Sequence, residues 1–305
     1  ISADGASGGE IVLQSRAASV IVDGAMLSAR GDAGGGGDIR VLGEQVGLLA
    51  ATRLDASGRD GGGQVLVGGD YHGDNPLVQN ARFTFVASAV QIAANAETAG
   101  NGGKVILWAD DTTRAYGPIS ASGGALGGDG GFVEISGKHG LVFEAQVDTT
   151  ARAGASGVLL LDPDTINIID GGGGAGSGDN GLPVFTALGV TTISELALEG
   201  QSSSIILEAA DGIVLENLTD DELRIDGLIS GRSITLRTTG TGDITFQDIA
   251  DEISTSGGDI NLEAQGNGNL TNIGKLTSSA GAGGNISLTS SIGNVDMQGL
   301  VQSIG

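Results

Sequence analysis

The 305-residue chain contains no cysteine, so neither a disulfide framework nor a thiolate metal site is open to it. Aromatic residues make up 3 % of the sequence, with a single tryptophan, so no broad aromatic core can form. An interior built from this chain must be narrow and aliphatic. Basic residues are scarce: 14 Lys and Arg stand against 37 Asp and Glu, a formal charge of −23. Nucleic-acid binding needs clustered cations to displace counterions, so no nucleic-acid partner is expected. No apolar run approaches the ~18 residues of a membrane span, and no secretory signal opens the chain. Ile1-Ser2-Ala3-Asp4-Gly5 reads as mid-repeat sequence, so the natural start is expected to have been removed.

Glycine is abundant instead, at 57 residues of 305. Such a content often accompanies disorder, but here the 39 % apolar fraction falls in short alternating runs, which a disordered chain lacks. One unit recurs: a glycine turn, a variable residue, then apolar, variable, apolar. It appears as Gly9-Glu10-Ile11-Val12-Leu13, Gly37-Asp38-Ile39-Arg40-Val41 and Gly63-Gln64-Val65-Leu66-Val67, and it continues to Gly284-Asn285-Ile286-Ser287-Leu288. The first inward residues are Ile11, Ile39, Val65, Val105, Val133, Leu159, Ile205, Ile234, Ile260 and Ile286. Successive differences between these positions are 28, 26, 40, 28, 26, 46, 29, 26 and 26. The two outliers exceed 26 by 14 and by 20, the lengths of two insertions.

Alternation of period two places one side chain inward and the next outward along a strand. A second short strand follows, as in Ser19-Val20-Ile21-Val22, and a third precedes the next glycine turn, as in Leu27-Ser28-Ala29 and Leu276-Thr277-Ser278. Three strands joined by bends make one coil. The expected fold is therefore all-β, a right-handed parallel β-helix of about ten coils of about 26 residues. It is organised as residues 1–170 with an insertion at 71–85, a glycine-rich insertion or linker at 171–189, and further β-helix over 190–305. A glycine-rich β-sandwich would lack the fixed long period. Glycine at this frequency nearly excludes helix. The one helical candidate, Thr192-Ile193-Ser194-Glu195-Leu196-Ala197-Leu198, reads better as a short excursion.

Gly63-Gln64-Val65-Leu66-Val67-Gly68-Gly69-Asp70-Tyr71, Gly103-Lys104-Val105-Ile106-Leu107-Trp108-Ala109-Asp110 and Gly130-Gly131-Phe132-Val133-Glu134-Ile135-Ser136-Gly137 resemble the repeats of the filamentous haemagglutinin family, the large exoproteins of two-partner secretion. Gly157-Val158-Leu159-Leu160-Leu161-Asp162-Pro163 resembles that family's recurring Leu-Leu-Asp-Pro strand. The resemblance covers residues 1–170 well and the remainder through the generic repeat alone. It implies export through a dedicated outer-membrane pore, folding outside the cell, and adhesion or matrix building. The family's export domain carries an Asn-Pro-Asn-Gly motif; here Asn75-Pro76 is the sole Asn-Pro pair, so the chain resembles passenger shaft.

Chemistry-bearing residues are sparse. Asp110-Asp111 near Arg114 and Asp220-Asp221-Glu222 near Arg224 are the local carboxylate–arginine groupings that a polysaccharide-cleaving β-helix would need, and each also reads as a solvated turn. His72 and His139 lie about two repeats apart, too far to form a dyad on this pattern. Gly173-Gly174-Ala175-Gly176-Ser177-Gly178 begins like a calcium nonapeptide but places Asp179 one residue late, so no cofactor is expected beyond loosely bound calcium at acidic bends. The first insertion concentrates the scarce aromatics, with Tyr71, His72, Arg82, Phe83 and Phe85; capping of a hydrophobic seam and ligand binding are both open readings for it. The second insertion reads as a linker or flexible loop. Trp108, outward on its strand, is expected beneath the first insertion. Three Asn-x-Ser/Thr triplets, at Asn217, Asn269 and Asn285, arise easily by chance; their asparagines could instead form inward ladders.

These observations point to a non-catalytic structural and adhesive shaft segment of a secreted bacterial surface fibre. Its expected partners are copies of itself or flanking repeats, host or matrix glycans and proteins, and the secretion pore. A polysaccharide-processing enzyme and a calcium-responsive matrix protein are the alternatives.

Overall fold

Alternating aliphatic residues after each glycine turn form the first strand of every coil, and the strands pair in parallel with the register that the repeat dictates. The computed structural model describes residues 1–171, 178–225, 231–279 and 283–304. It is nearly all-β, with parallel sheets stacked as a β-solenoid of about ten coils. The chain divides into two compact units, residues 1–160 with 177–188 and residues 161–176 with 189–305.

In the first unit, the strands Glu10–Gln14, Asp38–Leu42, Gln64–Val67, Lys104–Ala109, Phe132–Gly137 and Val158–Leu161 stack as the first sheet. Ile11 faces Ile39, Ile39 faces Val65, Val65 faces Val105, Val105 faces Val133 and Val133 faces Leu159. The predicted 40-residue step from Val65 to Val105 is thus a single coil with an insertion. The second sheet holds Ser19–Asp23, Gln45–Leu49, Phe83–Val86, Thr112–Ala115 and Gly140–Phe143; the third holds Met26–Ser28, Arg53–Asp55, Gln91–Ala93, Ile119–Ser120 and Val147–Asp148. In the second unit, Ser204–Ala209, Ile234–Thr238, Ile260–Ala264 and Ile286–Ser290 pair through Ile205, Ile234, Ile260 and Ile286.

The inward columns are fully buried: Ile39, Val65, Val105, Val133 and Leu159 in one unit, Ile234 and Ile260 in the other. Each such side chain contributes about 2 kcal/mol by leaving water, a gain open to a coil only when it stacks on another. Close backbone approach explains the glycines that precede most first strands, at Gly37, Gly63, Gly103, Gly131, Gly157, Gly258 and Gly284. A Cβ on Gly102 would strike the Ala121 carbonyl and lie 2.5 Å from the Gly131 amide nitrogen.

Side-chain ladders run beside the backbone ladders. In the second unit the Asp259 amide donates to Ser233 Oγ at 3.0 Å, and the Asn285 amide to Asp259 Oδ1 at 2.7 Å. The Asn269 amide donates to Asp243 Oδ1 at 2.7 Å, and the Asn294 amide to Asn269 Oδ1 at 2.8 Å. The ladders therefore exist but do not face inward: Asn269 is half-buried and Asn285 exposed, at the turns entering their strands. The segment 192–198 splits into a strand, Thr192–Ser194, which pairs with Thr165–Ile169, and a single helical turn, Glu195–Glu199.

The first insertion occupies residues 68–82, between the strands Gln64–Val67 and Phe83–Val86. Phe83 and Phe85 consequently belong to a regular strand rather than to the inserted loop. Asp70 accepts the Tyr71 amide at 2.8 Å and starts a 3₁₀ turn, Tyr71–Gly73. Farther along, Val78 joins Leu42, Leu66, Ile106 and Trp108 in one buried cluster. These four partners point outward from the first sheet, so the inserted loop covers an apolar seam. Trp108 is 4 % exposed, and its indole N–H donates to Asp110 Oδ1 at 3.0 Å.

Residues 178–188 of the second insertion lie along the second sheet of the first unit, in place of the flexible linker that their composition implies. The Ser88 amide donates to Asp179 Oδ2 at 2.7 Å, the Gly178 amide to Glu144 Oε1 at 3.0 Å, and the Leu188 amide to Thr112 Oγ1 at 3.0 Å. Residues 172–177, which carry most of the calcium-like glycine run, lie outside the described residues.

Candidate functional site

The five residues singled out in the first insertion separate into two groups. Tyr71 is 47 % exposed and His72 half-buried, with its amide 3.2 Å from Glu134 Oε1. Phe83 and Phe85 are buried, at 4 % and 1 % exposure, and face out of the second sheet. Arg82 lies 4.9 Å from the Phe83 ring centroid and 3.6 Å from Asp111. Phe85 is shut away against Tyr116, 5.7 Å between ring centroids, so it offers no surface to a ligand.

Tyr71 instead borders an open groove of ≈ 810 Å³ on the first unit. The groove crosses four successive coils. Its floor is bare backbone at Gly62-Gly63, Gly102-Gly103, Gly130-Gly131 and Gly157. One wall is built from the leading outward residues of four paired strands, Gln64, Lys104, Phe132 and Val158. Asn101 and Asp129 from the turns form the other. The Tyr71 ring stands edge-on to Phe132 with centroids 5.7 Å apart and 64° between planes.

Charge in the groove is largely compensated. Lys104 Nζ donates to Asp70 Oδ1 at 2.7 Å. Burial opposes ionisation of Asp70, but Lys104, the Asn75 side chain and the Tyr71 amide together hold its pKa below the usual carboxylate value. Asp129 Oδ1 accepts the Ala155 amide at 2.9 Å, and Asn101 Oδ1 accepts the Asp129 amide at 2.9 Å. The Asn101–Asp129 wall is thus held in place by the coil turns, and Lys104 on the other wall by Asp70 of the first insertion. Sequence reasoning missed Gln64, Asn101, Lys104 and Phe132 as groove residues. The outward position of an aromatic at Phe132, directly after two glycines, was the available signal.

The carboxylate–arginine groupings serve other contacts. Asp110 Oδ1 accepts from Asn80 and from Trp108, and Arg114 donates to the Thr186 and Val184 carbonyls at 2.9 and 3.2 Å. Glu222 accepts from Arg224 and from Ser254; these bonds, the arginine's first, lower its pKa. Elsewhere in the second unit, Asp251 is fully buried, with Oδ2 lacking a hydrogen-bond partner. Burial, assisted by the negative charges of Asp248 and Asp221, raises its pKa from 3.8 to about 6. Among the described residues no helix is long and apolar enough to cross a membrane. Compared with known proteins, the chain matches no family model and no curated protein.

Proposed function

We propose that this chain is a structural and adhesive segment of a secreted bacterial surface fibre, acting through its length and stiffness rather than through catalysis. The register-locked stacking of coils within each unit carries this reading: in the first sheet, inward aliphatics pair with their counterparts one coil away. Such a stack is stiff because interior side chains and two sets of ladders must be broken together to bend it. The resemblance to the filamentous haemagglutinin repeats adds export by two-partner secretion and a place on the cell surface or in a biofilm matrix. The high negative charge suits a long polymer that must stay soluble.

Antibody labelling of intact, unpermeabilised source cells, paired with an assay for cleavage of polygalacturonate with and without calcium, tests the proposal. Surface or medium localisation without shortened products is expected. Labelling only after permeabilisation would overturn the fibre reading, and robust turnover would replace it with the polysaccharide-processing enzyme.

A further inference from the structure

The groove over the glycine ledge has features that a merely structural seam does not need. The first insertion covers the outward cluster of Leu42, Leu66, Ile106 and Trp108, yet Tyr71 of the same insertion is left 47 % exposed beside the half-buried Phe132. The ledge cannot be filled from within: a Cβ on Gly62, Gly102 or Gly130 would collide with the carbonyls of Ala94, Ala121 or Thr149. A continuous trough of backbone therefore stays open along four coils. Its flanks carry two aromatic rings, Phe132 on a strand and Tyr71 from the inserted loop, beside the polar side chains of Gln64, Asn101 and Asp129, and successive coils follow at the ~4.8 Å pitch of stacked strands.

We propose that this groove binds an uncharged, extended polysaccharide. Sugar rings pack their C–H faces on Tyr71 and Phe132, and their hydroxyls bond Gln64, Asn101 and Asp129. Aromatic faces suit this role because they bury area at little entropic cost. The occupant is uncharged because Lys104 is already paired with Asp70, Asp129 contributes a negative charge, and the whole chain carries −23. A polyanion meets no unpaired cation among the groove's described lining and a repulsive field beyond it. Three coil-to-coil steps span about 14 Å, the length of a few sugar rings. Acidic glycans and nucleic acids are thereby disfavoured. A peptide would find no sheet edge to extend, since the floor amides of Gly62, Gly102 and Gly130 already bond Asn101, Asp129 and Ala155 carbonyls.

This inference rests on the adhesive reading and names its ligand class. The probes are cellohexaose, xylohexaose and maltohexaose, with a heparin hexasaccharide and a proline-rich peptide alongside. Calorimetric titration of the intact chain is expected to show saturable binding of at least one neutral hexasaccharide. Tyr71→Ala should weaken it about tenfold or more with the melting temperature unchanged. Leu126→Ala, on an exposed turn outside the groove, should leave it intact. The proposal is overturned if no neutral hexasaccharide binds, if heparin or the peptide binds better, or if Tyr71→Ala binds as the parent does. Any of these failures leaves the fibre reading standing, because surface labelling is scored separately.

Discussion

The Arg114 guanidinium, in a residue 5 % exposed, donates to the main-chain carbonyl of Thr186 at 2.9 Å. Burial pulls its pKa down from the ordinary arginine value, against the opposing influence of Tyr116 and Asp111. Arg114 stands in the outward column of the second sheet, in register with Phe85 and Val142. Residues 178–188 close over this column, and the arginine fork fastens them to it. The first insertion does the same for the first sheet, with Val78 in the part of the cover and Trp108 in the part of the seam. Each insertion thus protects one outward face that the simple repeat would leave polar.

Replacing Arg114 by methionine keeps a comparable apolar stem and removes the donors. The Thr186 carbonyl belongs to an exposed residue and can turn to water, so the cost to global stability should be about 1–2 kcal/mol. Local opening should rise more steeply. Limited proteolysis followed by mass spectrometry is expected to find the first cuts of Arg114→Met within residues 178–188. A parent-like digestion pattern would show that the fork does not hold the strap.

Trp108 offers a second measurement because it is the chain's sole tryptophan. Its burial beneath the first insertion predicts blue-shifted emission that moves to the red when this unit unfolds. Trp108→Ala removes the centre of the cluster formed with Leu42, Leu66, Val78 and Ile106, and should cost about 3–5 kcal/mol. Urea titration followed by circular dichroism would give that value. A loss below about 1 kcal/mol would mean that the loop is not clamped on the seam.

The coils were legible in the sequence because glycine, variable residue and aliphatic alternation recur in one order. Ile11, Ile39 and Val65 announce their pairing by position alone. The end of the first insertion was not legible. Phe83 and Phe85 looked like loop aromatics, whereas Phe83-Thr84-Phe85-Val86 is a strand buried on both faces. A strand apolar on both sides requires a cover, and here that cover comes from residues near 185, about a hundred positions later. Periodicity carries no information about so distant a partner. The groove was half legible. Tyr71 could be named from the scarcity of aromatics, but its neighbour Phe132 meets it only through the path of the inserted loop.

Glycine substitutions should split sharply by position. Gly102→Ala forces a methyl group onto the Ala121 carbonyl and the Gly131 amide, neither of which can move without parting two coils. A cost of about 2–3 kcal/mol or more is expected, with lower soluble yield. Gly189→Ala meets nothing within 4 Å and lies outside the left-handed backbone region. It should change stability by less than about 0.5 kcal/mol. Comparable thermal melts for the two variants would refute the close-approach explanation of the glycine ledge.

Asp251 predicts a pH-dependent gain. Its carboxyl titrates near 3.8 when unfolded and near 6 when folded, because burial and the neighbouring Asp248 and Asp221 disfavour the charge. A raised folded pKa contributes stability in full below pH 3.8 and loses it as pH rises through about 6. Asparagine keeps an oxygen for the Leu218 amide, which donates to Asp251 Oδ1 at 3.2 Å, and carries no charge at any pH. Asp251→Asn should therefore be more stable than the parent at neutral pH, by about 3 kcal/mol. The advantage should shrink through the window from 6 to 3.8 and vanish below it. Other carboxylates titrate in both proteins, so the difference between their melting curves at each pH isolates this one group. A variant that is no more stable than the parent at neutral pH would show that Asp251 is not charged at a cost in the folded chain.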